Sequence, residues 1–415
     1  MENLKWIILA IFIAQKLWGY FLKYLNFRHI KSHNEIPEFF KNYIDREKLI
    51  KSQQYYETRN RFGIIESSIS TLVGIGFVFT PLFEIYNNWI LSLELGFVLT
   101  GLLFFGIIWL VSTIVSIPFD LYSTFVIEEK FGFNKTTPKI WIADFFKSLI
   151  LSAILIIILL GAGLWIVTSS PQYWWIILWG FYFIFSMFII YISPYVIHPL
   201  FNKFTPLEDT EFVESIKEML SKVGIKISNV FKMDASKRSK HSNAYFTGMG
   251  KSKRVVFYDT LLENFDNEEI LAVLAHEAGH WKKKHILKTL VVSEAVSLIG
   301  FFVAFKLMES GVLGSIWGIA DGGFFFEIVI IGILISLITF FISPLGSFFS
   351  RRNEYEADRF SKKLTGNGEW LSRALAKLTS DNLSVLHPHP LFWKWYYSHP
   401  PVIERVTALN KNQPE

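Results

Sequence analysis

The chain has 415 residues, of which 51% are hydrophobic and 17% aromatic, with a mean hydropathy of +0.34, which favours an integral membrane protein over a soluble protein of two or three domains. It contains no cysteine, and this excludes disulfides, thiolate ligands, a cysteine nucleophile and lipid attachment to the chain itself. The net charge of +5 is modest and no nucleic-acid-binding module is visible, so we expect no nucleic acid as a partner.

Five apolar segments long enough to cross a bilayer occupy the first half of the chain, at 6–22, 62–86, 90–119, 145–168 and 173–197. A cleaved signal peptide is the alternative for the first segment, but no small-residue cleavage site follows it. The stretch 28–61 carries eight basic residues and predicts a basic loop or a helical hairpin. Asn87 and Asn88 predict a tight turn between the second and third segments. Glu66 and Glu94 lie in or beside these segments and are expected to face a protein interior or a water-filled cavity.

From residue 202 to 288 the pattern becomes that of a soluble α/β unit. It predicts a helix at 210–223, strands at 230–233 and 255–258, and a helix from Asn267 that is capped by 266–269. The stretch 239–248 between the strands, which ends at Gly248, could be an edge strand that offers its backbone to an extended peptide. Surface decoration is the alternative for His241 and Ser242 within it.

The helix from Asn267 carries the sequence His276-Glu277-Ala278-Gly279-His280. Two histidines four residues apart lie one turn apart on one face, close enough to bind one metal ion at about 2.0–2.1 Å each. A zinc ion held there would lower the pKa of its bound water toward about 7, with Glu277 placed to take the proton. Chance co-occurrence is the alternative, and a third ligand decides between them. His285, five residues after His280, is interpreted as an ordinary polar residue at the end of this helix, and a position lining the site is the alternative.

Two more apolar segments, 290–308 and 324–345, precede a helix that supplies a candidate third ligand. Glu354 and Asp358 are four residues apart on one face of it, whereas Glu356 points roughly the opposite way. We assign Glu354 as the zinc ligand and Asp358 as the acceptor of the free N–H of a ligand histidine. A solvated charged helix face is the alternative.

Seven spans divide the loops into two sets of different charge. The connections around Asn87, Ser170 and Gly314 hold no Lys or Arg, whereas the loops after spans one, three, five and seven hold nearly all of them. The positive-inside rule therefore predicts an external or lumenal N-terminus and a cytoplasmic C-terminus, with both halves of the metal site on the cytoplasmic side.

Several motifs resemble those of the CAAX prenyl protease 1 family of integral-membrane zinc metalloproteases, over essentially the whole chain. They are HEAGHWK at 276–282, SRR at 350–352 followed by Glu354 and Ala357-Asp358, HSNAYF at 241–246, EEKFGFNK at 128–135, LFNKF at 200–204, and YSHPP at 397–401 with Glu404-Arg405. The resemblance implies a multi-pass α-helical membrane protein in which seven helices form a chamber, with a zincin-like α/β metalloprotease domain on the cytoplasmic side. It implies one Zn²⁺ per chain and cleavage near the C-terminus of prenylated CAAX-type or related membrane-associated proteins.

By the same resemblance, Asn243 and Arg405 would bind substrate, and His399 would help stabilise the tetrahedral oxyanion. The expected organisation is membrane helices one to five at 1–200, the first part of the protease domain at 201–288, helices six and seven at 289–346, and its second part at 347–415. The expected partners are peptide or protein substrates, which could be prenylated, and the bilayer, with no oligomer required. The membrane would be the bacterial inner membrane in a bacterium and the endoplasmic reticulum in a eukaryote.

Two other functions compete with this interpretation. A membrane quality-control protease of the HtpX type shares the zinc motif, but it has fewer spans than the five predicted before residue 202. A transporter or scaffold with a structural metal site would fit the embedded carboxylates, but a structural zinc has no need of Glu277 as a base.

Overall fold

The computed structural model describes residues 3–247, 254–318 and 323–411. Over these ranges seven helices are long and apolar enough to cross a membrane, which confirms the predicted number of spans. They are Asn3–Ser32, Arg46–Val78, Phe97–Phe131, Pro138–Ser169, Trp174–Phe201, His285–Glu309 and Gly323–Thr365.

The first half of the chain is helical throughout. Its helices are α1 (Asn3–Ser32), α2 (Arg46–Val78), α3 (Leu82–Leu91), α4 (Phe97–Tyr122), α5 (Glu129–Phe131), α6 (Pro138–Ser169), α7 (Trp174–Ile192) and α8 (His198–Phe201). The π-helical segments Ser123–Glu128 and Ser193–Ile197 join α4 to α5 and α7 to α8. The basic stretch at 28–61 is the helical hairpin of α1 and α2, with a 3₁₀ turn at Glu38–Phe40 between them.

The predicted tight turn at Asn87 and Asn88 is wrong. Both residues lie inside α3, a ten-residue helix between spans two and three, and the Asn87 side chain is buried. Apolar residues on either side of Asn87 pack this helix into the bundle, with Phe83 and Ile90 fully buried. An Asn pair predicts a turn only when the flanking residues are free to leave the helical pattern, and here tertiary packing holds them in it.

The soluble unit contains a four-stranded sheet, as far as the described residues go. Its elements are β1 (Phe204–Pro206), α9 (Thr210–Ser221), β2 (Asn229–Met233), β3 (Ala244–Thr247), β4 (Arg254–Tyr258), α10 (Asp259–Asn264) and α11 (Asn267–Lys282). The strand order is β1-β2-β4-β3, with β2 and β4 parallel and the outer pairs antiparallel. The predicted edge strand is therefore present as β3, although Gly248 lies outside the described residues. The three-residue β1 was missed because it is too short to show alternation.

The second half returns to the membrane and then completes the soluble unit. It comprises α12 (His285–Glu309), α13 (Val312–Trp317), α14 (Gly323–Thr365), α15 (Gly368–Asp381), α16 (Pro390–Tyr396) and α17 (Val402–Asn410). Helix α14 has 43 residues and runs without interruption across the predicted boundary at 346. At ~1.5 Å per residue it is about 65 Å long, so one rod carries both the seventh span and Glu354.

The spans expose most of their apolar surface. Between 0 and 28% of each apolar window is buried, as expected for helices that face lipid. An apolar cluster that includes Phe83, Phe104, Trp317 and Phe326 packs α3, α4, α13 and α14 together. The soluble unit has its own apolar cores.

Helix α11 is held at the centre of the soluble unit. Asp266 and Glu269 form a capping box at its start, and the fully buried Glu269 carboxylate accepts bonds from Arg373 and Lys377 on α15. Opposite, α11 lies directly against α14, where the Ser361 hydroxyl donates to the Ala272 carbonyl at 2.7 Å. A Cβ added at Gly279 would lie 3.0 Å from the Ala357 Cα, so the two helices approach as closely as their backbones allow.

We predict that Gly279→Ala forces α11 and α14 apart and destabilises the protein by about 1–3 kcal/mol, the cost of overpacking a tight contact. Zinc content should fall as well, because the displacement moves Glu354 away from the two histidines. Thermal unfolding and metal analysis of the purified protein measure both effects. Gly300→Ala is the matched control, since no atom lies within 4 Å of its new methyl group. Equal losses in both variants would contradict the prediction.

Candidate metal centre

Three side chains from two helices converge at the contact between α11 and α14. The Nε2 atoms of His276 and His280 are 3.2 Å apart, Glu354 Oε2 lies 3.4 Å from the first, and Glu354 Oε1 lies 3.2 Å from the second. His276 and Glu354 are buried, and His280 is partly buried. The spacing of four along α11 thus brings both imidazoles to one point, and α14 delivers the carboxylate to it.

This triangle fits a tetrahedral metal ion. Two ligand atoms at ~2.0–2.1 Å from a zinc ion with a tetrahedral angle between them lie about 3.3–3.4 Å apart, close to the three observed separations. The Glu354 Oε2 atom is buried and has no hydrogen-bond partner among the described residues. Among these residues, His276, His280 and Glu354 are also the group of three whose candidate ligand atoms all lie within 4.8 Å of one another.

Asp358 and Arg405 form a buried pair behind His276. Asp358 Oδ1 lies 2.9 Å from His276 Nδ1, on the opposite edge of the ring from the Glu354 carboxylate. The Arg405 guanidinium donates to Asp358 through Nε at 2.9 Å and Nη2 at 2.6 Å, and its Nη1 lies 3.4 Å from Glu354 Oε2. Asp358 can therefore accept the Nδ1–H of His276, which leaves the Nε2 lone pair free for a metal. The guanidinium of Arg405 contacts these two carboxylates. Its predicted contact with substrate stays a prediction.

The pocket stabilises positive charge. Burial disfavours a charged His276 imidazole, but its bonds to Asp358 and Glu354 outweigh burial and raise the pKa of His276 to about 9. Burial raises the pKa of Glu277, and the neighbouring Glu354 adds to the rise while the two histidines oppose it. A site that favours a cation at His276 in this way is suited to a divalent metal ion.

His399 reaches the same cluster from the segment that joins α16 to α17. Its Nε2 lies 3.4 Å from Glu354 Oε1, its Nδ1 lies 2.9 Å from the Ser398 hydroxyl, and 62% of its side chain is exposed. Asn243 is exposed at the start of β3, where its carbonyl accepts from the Tyr258 amide and its side chain from the Ala244 amide. Both side chains are exposed, and their predicted roles toward substrate stay predictions.

The contact of His285 with Glu356 near the candidate ligands was missed from the sequence, although His285 had been considered as a residue that lines the site. His285 is buried, its Nδ1 lies 3.1 Å from His280 Nδ1, and its Nε2 lies 3.3 Å from Glu356 Oε2. The prediction treated α11 as ending in ordinary polar residues and Glu356 as pointing away from the site. A histidine five residues after the second histidine of the motif was the one available signal.

Comparison with known proteins agrees with this geometry. The family model described as "CAAX prenyl protease N-terminal, five membrane helices" matches residues 26–203, and "Peptidase family M48" matches residues 206–413. CAAX prenyl protease 1 of Saccharomyces cerevisiae is 36% identical, with 98% of this chain and 96% of the relative covered. The human CAAX prenyl protease 1 homolog is 32% identical, with 95% and 92% covered.

A solved structure is similar over the same length. The crystal structure of Ste24p from S. mikatae superposes with a TM-score of 0.89 at 35% identity, covering 98% of this chain and 99% of that one. The match extends through all seven spans as well as the soluble unit.

We expect Arg405→Met to destabilise the protein by about 3–5 kcal/mol, because it leaves the buried Asp358 carboxylate without its cation. Arg405→Lys should be intermediate, since it keeps the charge but loses the two-pronged contact. Thermal unfolding with metal analysis measures the change. Arg359→Met, which removes an exposed arginine from the same helix α14, is the control and should be close to neutral. An unchanged midpoint in Arg405→Met would contradict the buried-pair interpretation.

Proposed function

Because the chain belongs to the M48 peptidase family with the CAAX prenyl proteases, we propose that it is a zinc-dependent endopeptidase that cleaves prenylated CAAX-type or related membrane-associated proteins near the C-terminus. That it is an integral-membrane metalloendopeptidase follows from the two family matches and from relatives similar over nearly the full length. The observation that carries the proposal is the group of His276, His280 and Glu354, whose ligand atoms have separations close to those of a tetrahedral metal site.

The proposed roles follow from the contacts. His276, His280 and Glu354 would hold one Zn²⁺, which supplies Lewis-acid chemistry that activates water and polarises the scissile carbonyl. Glu277, beside the ligands and with a raised pKa, accepts the proton from the attacking water and passes it to the leaving amine. Asp358, held by Arg405, fixes the ring of His276.

Substrate would approach along the edge of the sheet. Strand β3 is at the edge of the four strands and can pair with an extended peptide, with Asn243 binding its backbone where β3 begins. His399 Nε2 points at Glu354 Oε1, and a proton on Nε2 is favoured by that carboxylate when the Ser398 hydroxyl donates to Nδ1. His399 then donates to the oxyanion that develops on the scissile carbonyl.

Orientation and organisation complete the proposal. By the positive-inside rule, the basic loops favour a cytoplasmic soluble unit and an external or lumenal N-terminus, in the inner membrane of a bacterium or the endoplasmic reticulum of a eukaryote. The segments 1–200 and 289–346 then form the chamber, and 201–288 and 347–415 form the protease domain, in a chain that needs no oligomer. A prenyl group on the substrate would occupy the chamber.

Glu277→Ala is expected to lower peptidase activity by about 10²–10⁴-fold while zinc is retained, since it removes the base and leaves the ligands in place. The assay uses purified protein in detergent with a farnesylated CAAX peptide and an unprenylated peptide of the same sequence. Glu268→Ala removes an exposed carboxylate from the same helix and is the control. Equal cleavage of both peptides would move the substrate toward general membrane proteolysis of the HtpX type. Stoichiometric zinc with no cleavage of a panel of peptides would favour the non-enzymatic alternative.

The absence of cysteine permits a direct test of orientation. Ser169→Cys, at the end of α6, should be labelled by a membrane-impermeant maleimide from the external or lumenal side, and Ser221→Cys, at the end of α9, from the cytoplasmic side. Labelling of intact cells or sealed vesicles, with detergent-solubilised membranes as the control, reads this out. The reverse pattern would overturn the proposed topology.

A further inference from the structure

His285 and Glu356 form a second chain of contacts that ends on a metal ligand. The His285 Nδ1 lies 3.1 Å from the Nδ1 of His280, and the His285 Nε2 lies 3.3 Å from a Glu356 carboxylate oxygen. His285 is 3% exposed, although it is the first residue of a helix that enters the membrane. A buried imidazole with a specific partner on each nitrogen is fixed in orientation.

A break in the helix brings His285 to this position. On one continuous helix, a residue five positions after His280 would lie about 140° around the axis from it and could not face it. The chain instead ends α11 at Lys282 and starts α12 at His285, with Lys284 in the left-handed conformation at φ 58°. This break between the helices lets the His285 ring contact His280, whereas Glu356 comes from α14.

The contacts allow one arrangement of protons once His280 binds a metal. His280 Nε2 faces the other two ligands, so a metal takes its lone pair and the proton must be on Nδ1. That Nδ1–H can donate to His285 Nδ1 only if His285 carries its own proton on Nε2. The Nε2–H of His285 then donates to Glu356, a carboxylate that accepts it. Each ring nitrogen of His280 and His285 then has one partner, and no two N–H donors face each other.

We propose that His285 and Glu356 are positioning residues that fix the ring of His280 and increase its basicity toward the metal. This inference rests on the proposed zinc site and deepens it. His276 receives the same support directly from Asp358, so each ligand histidine is backed by a carboxylate, one in contact and one through an imidazole. The two supports differ in setting, because Asp358 is buried against Arg405 whereas the Glu356 side chain is 29% exposed.

The test measures zinc dissociation from the zinc-loaded, full-length protein into excess chromogenic chelator. His285→Leu removes both contacts and should release zinc about 10–100-fold faster than wild type. His285→Gln can still accept from His280 and donate to Glu356, and it should remain close to wild type. Glu356→Gln should be intermediate, and its effect should disappear in the His285→Leu background, because Glu356 acts through His285. Glu369→Gln, an exposed carboxylate on α15, is the control.

The cobalt-substituted protein gives a second readout that a packing role would not change. His285→Leu should alter the visible absorption of bound Co²⁺, while His285→Gln should preserve it. Thermal unfolding of the metal-free proteins checks that the Leu variant is folded, and if it is not, Glu356→Gln decides the question. Zinc release at the wild-type rate from a folded His285→Leu variant would overturn the inference. If His285→Leu does not fold, release at the wild-type rate from Glu356→Gln would overturn it. Failure of wild type to hold zinc would instead overturn the proposed function, and neither metal readout depends on turnover.

Discussion

The contact between α11 and α14 is the constraint on which the site depends. Two candidate ligands lie on one helix and the third on the other, so the distances of 3.4 and 3.2 Å from Glu354 to the two histidines hold only while the helix axes stay at their present distance. Gly279 makes that distance possible, because any Cβ there would meet the α14 backbone at Ala357. The remaining features, from the capping box at Asp266 to the hydroxyl of Ser361, fix where the two helices lie along each other.

Charge is the second requirement of this arrangement. Three buried carboxylate or imidazole groups with unmatched charge would cost several kcal/mol each in a dry interior. Arg405 offsets part of the negative charge by pairing with Asp358 and lying beside Glu354. The remaining negative charge, on the Glu354 carboxylate, faces the point between the two histidines where a cation would bind. The raised pKa of His276, caused chiefly by Asp358 and Glu354 against the effect of burial, expresses the same preference for positive charge. The polar groups that stabilise the site are thus also those that select a metal ion.

Much of this could be predicted from the sequence, and the exceptions have physical reasons. The seven spans and the helix that carries the two histidines follow from hydropathy and periodicity. The convergence of His276, His280 and Glu354 follows from the i,i+4 spacing of the histidines and from a predicted topology that puts Glu354 on the same side of the membrane. The turn at Asn87 was predicted wrongly because burial of Phe83 and Ile90 overrides the local preference. His285 and Glu356 were missed because their meeting depends on Lys284, a non-glycine residue in the left-handed region, and its identity gives no local signal. The predicted contacts of Asn243 and Arg405 with substrate depend on the path of a bound peptide, and sequence periodicity carries no information about that path.

The distribution of the ligands along the chain also sets when the protein acquires its chemistry. A ribosome delivers His276 and His280 first, but Glu354 follows only after α12 has been made and α14 has entered the bilayer, and Arg405 comes near the end. A nascent chain therefore has two imidazoles but no complete coordination sphere and no neutralising partner for Asp358. The candidate site can therefore assemble only after the seventh span has been made, because α14 carries both that span and Glu354.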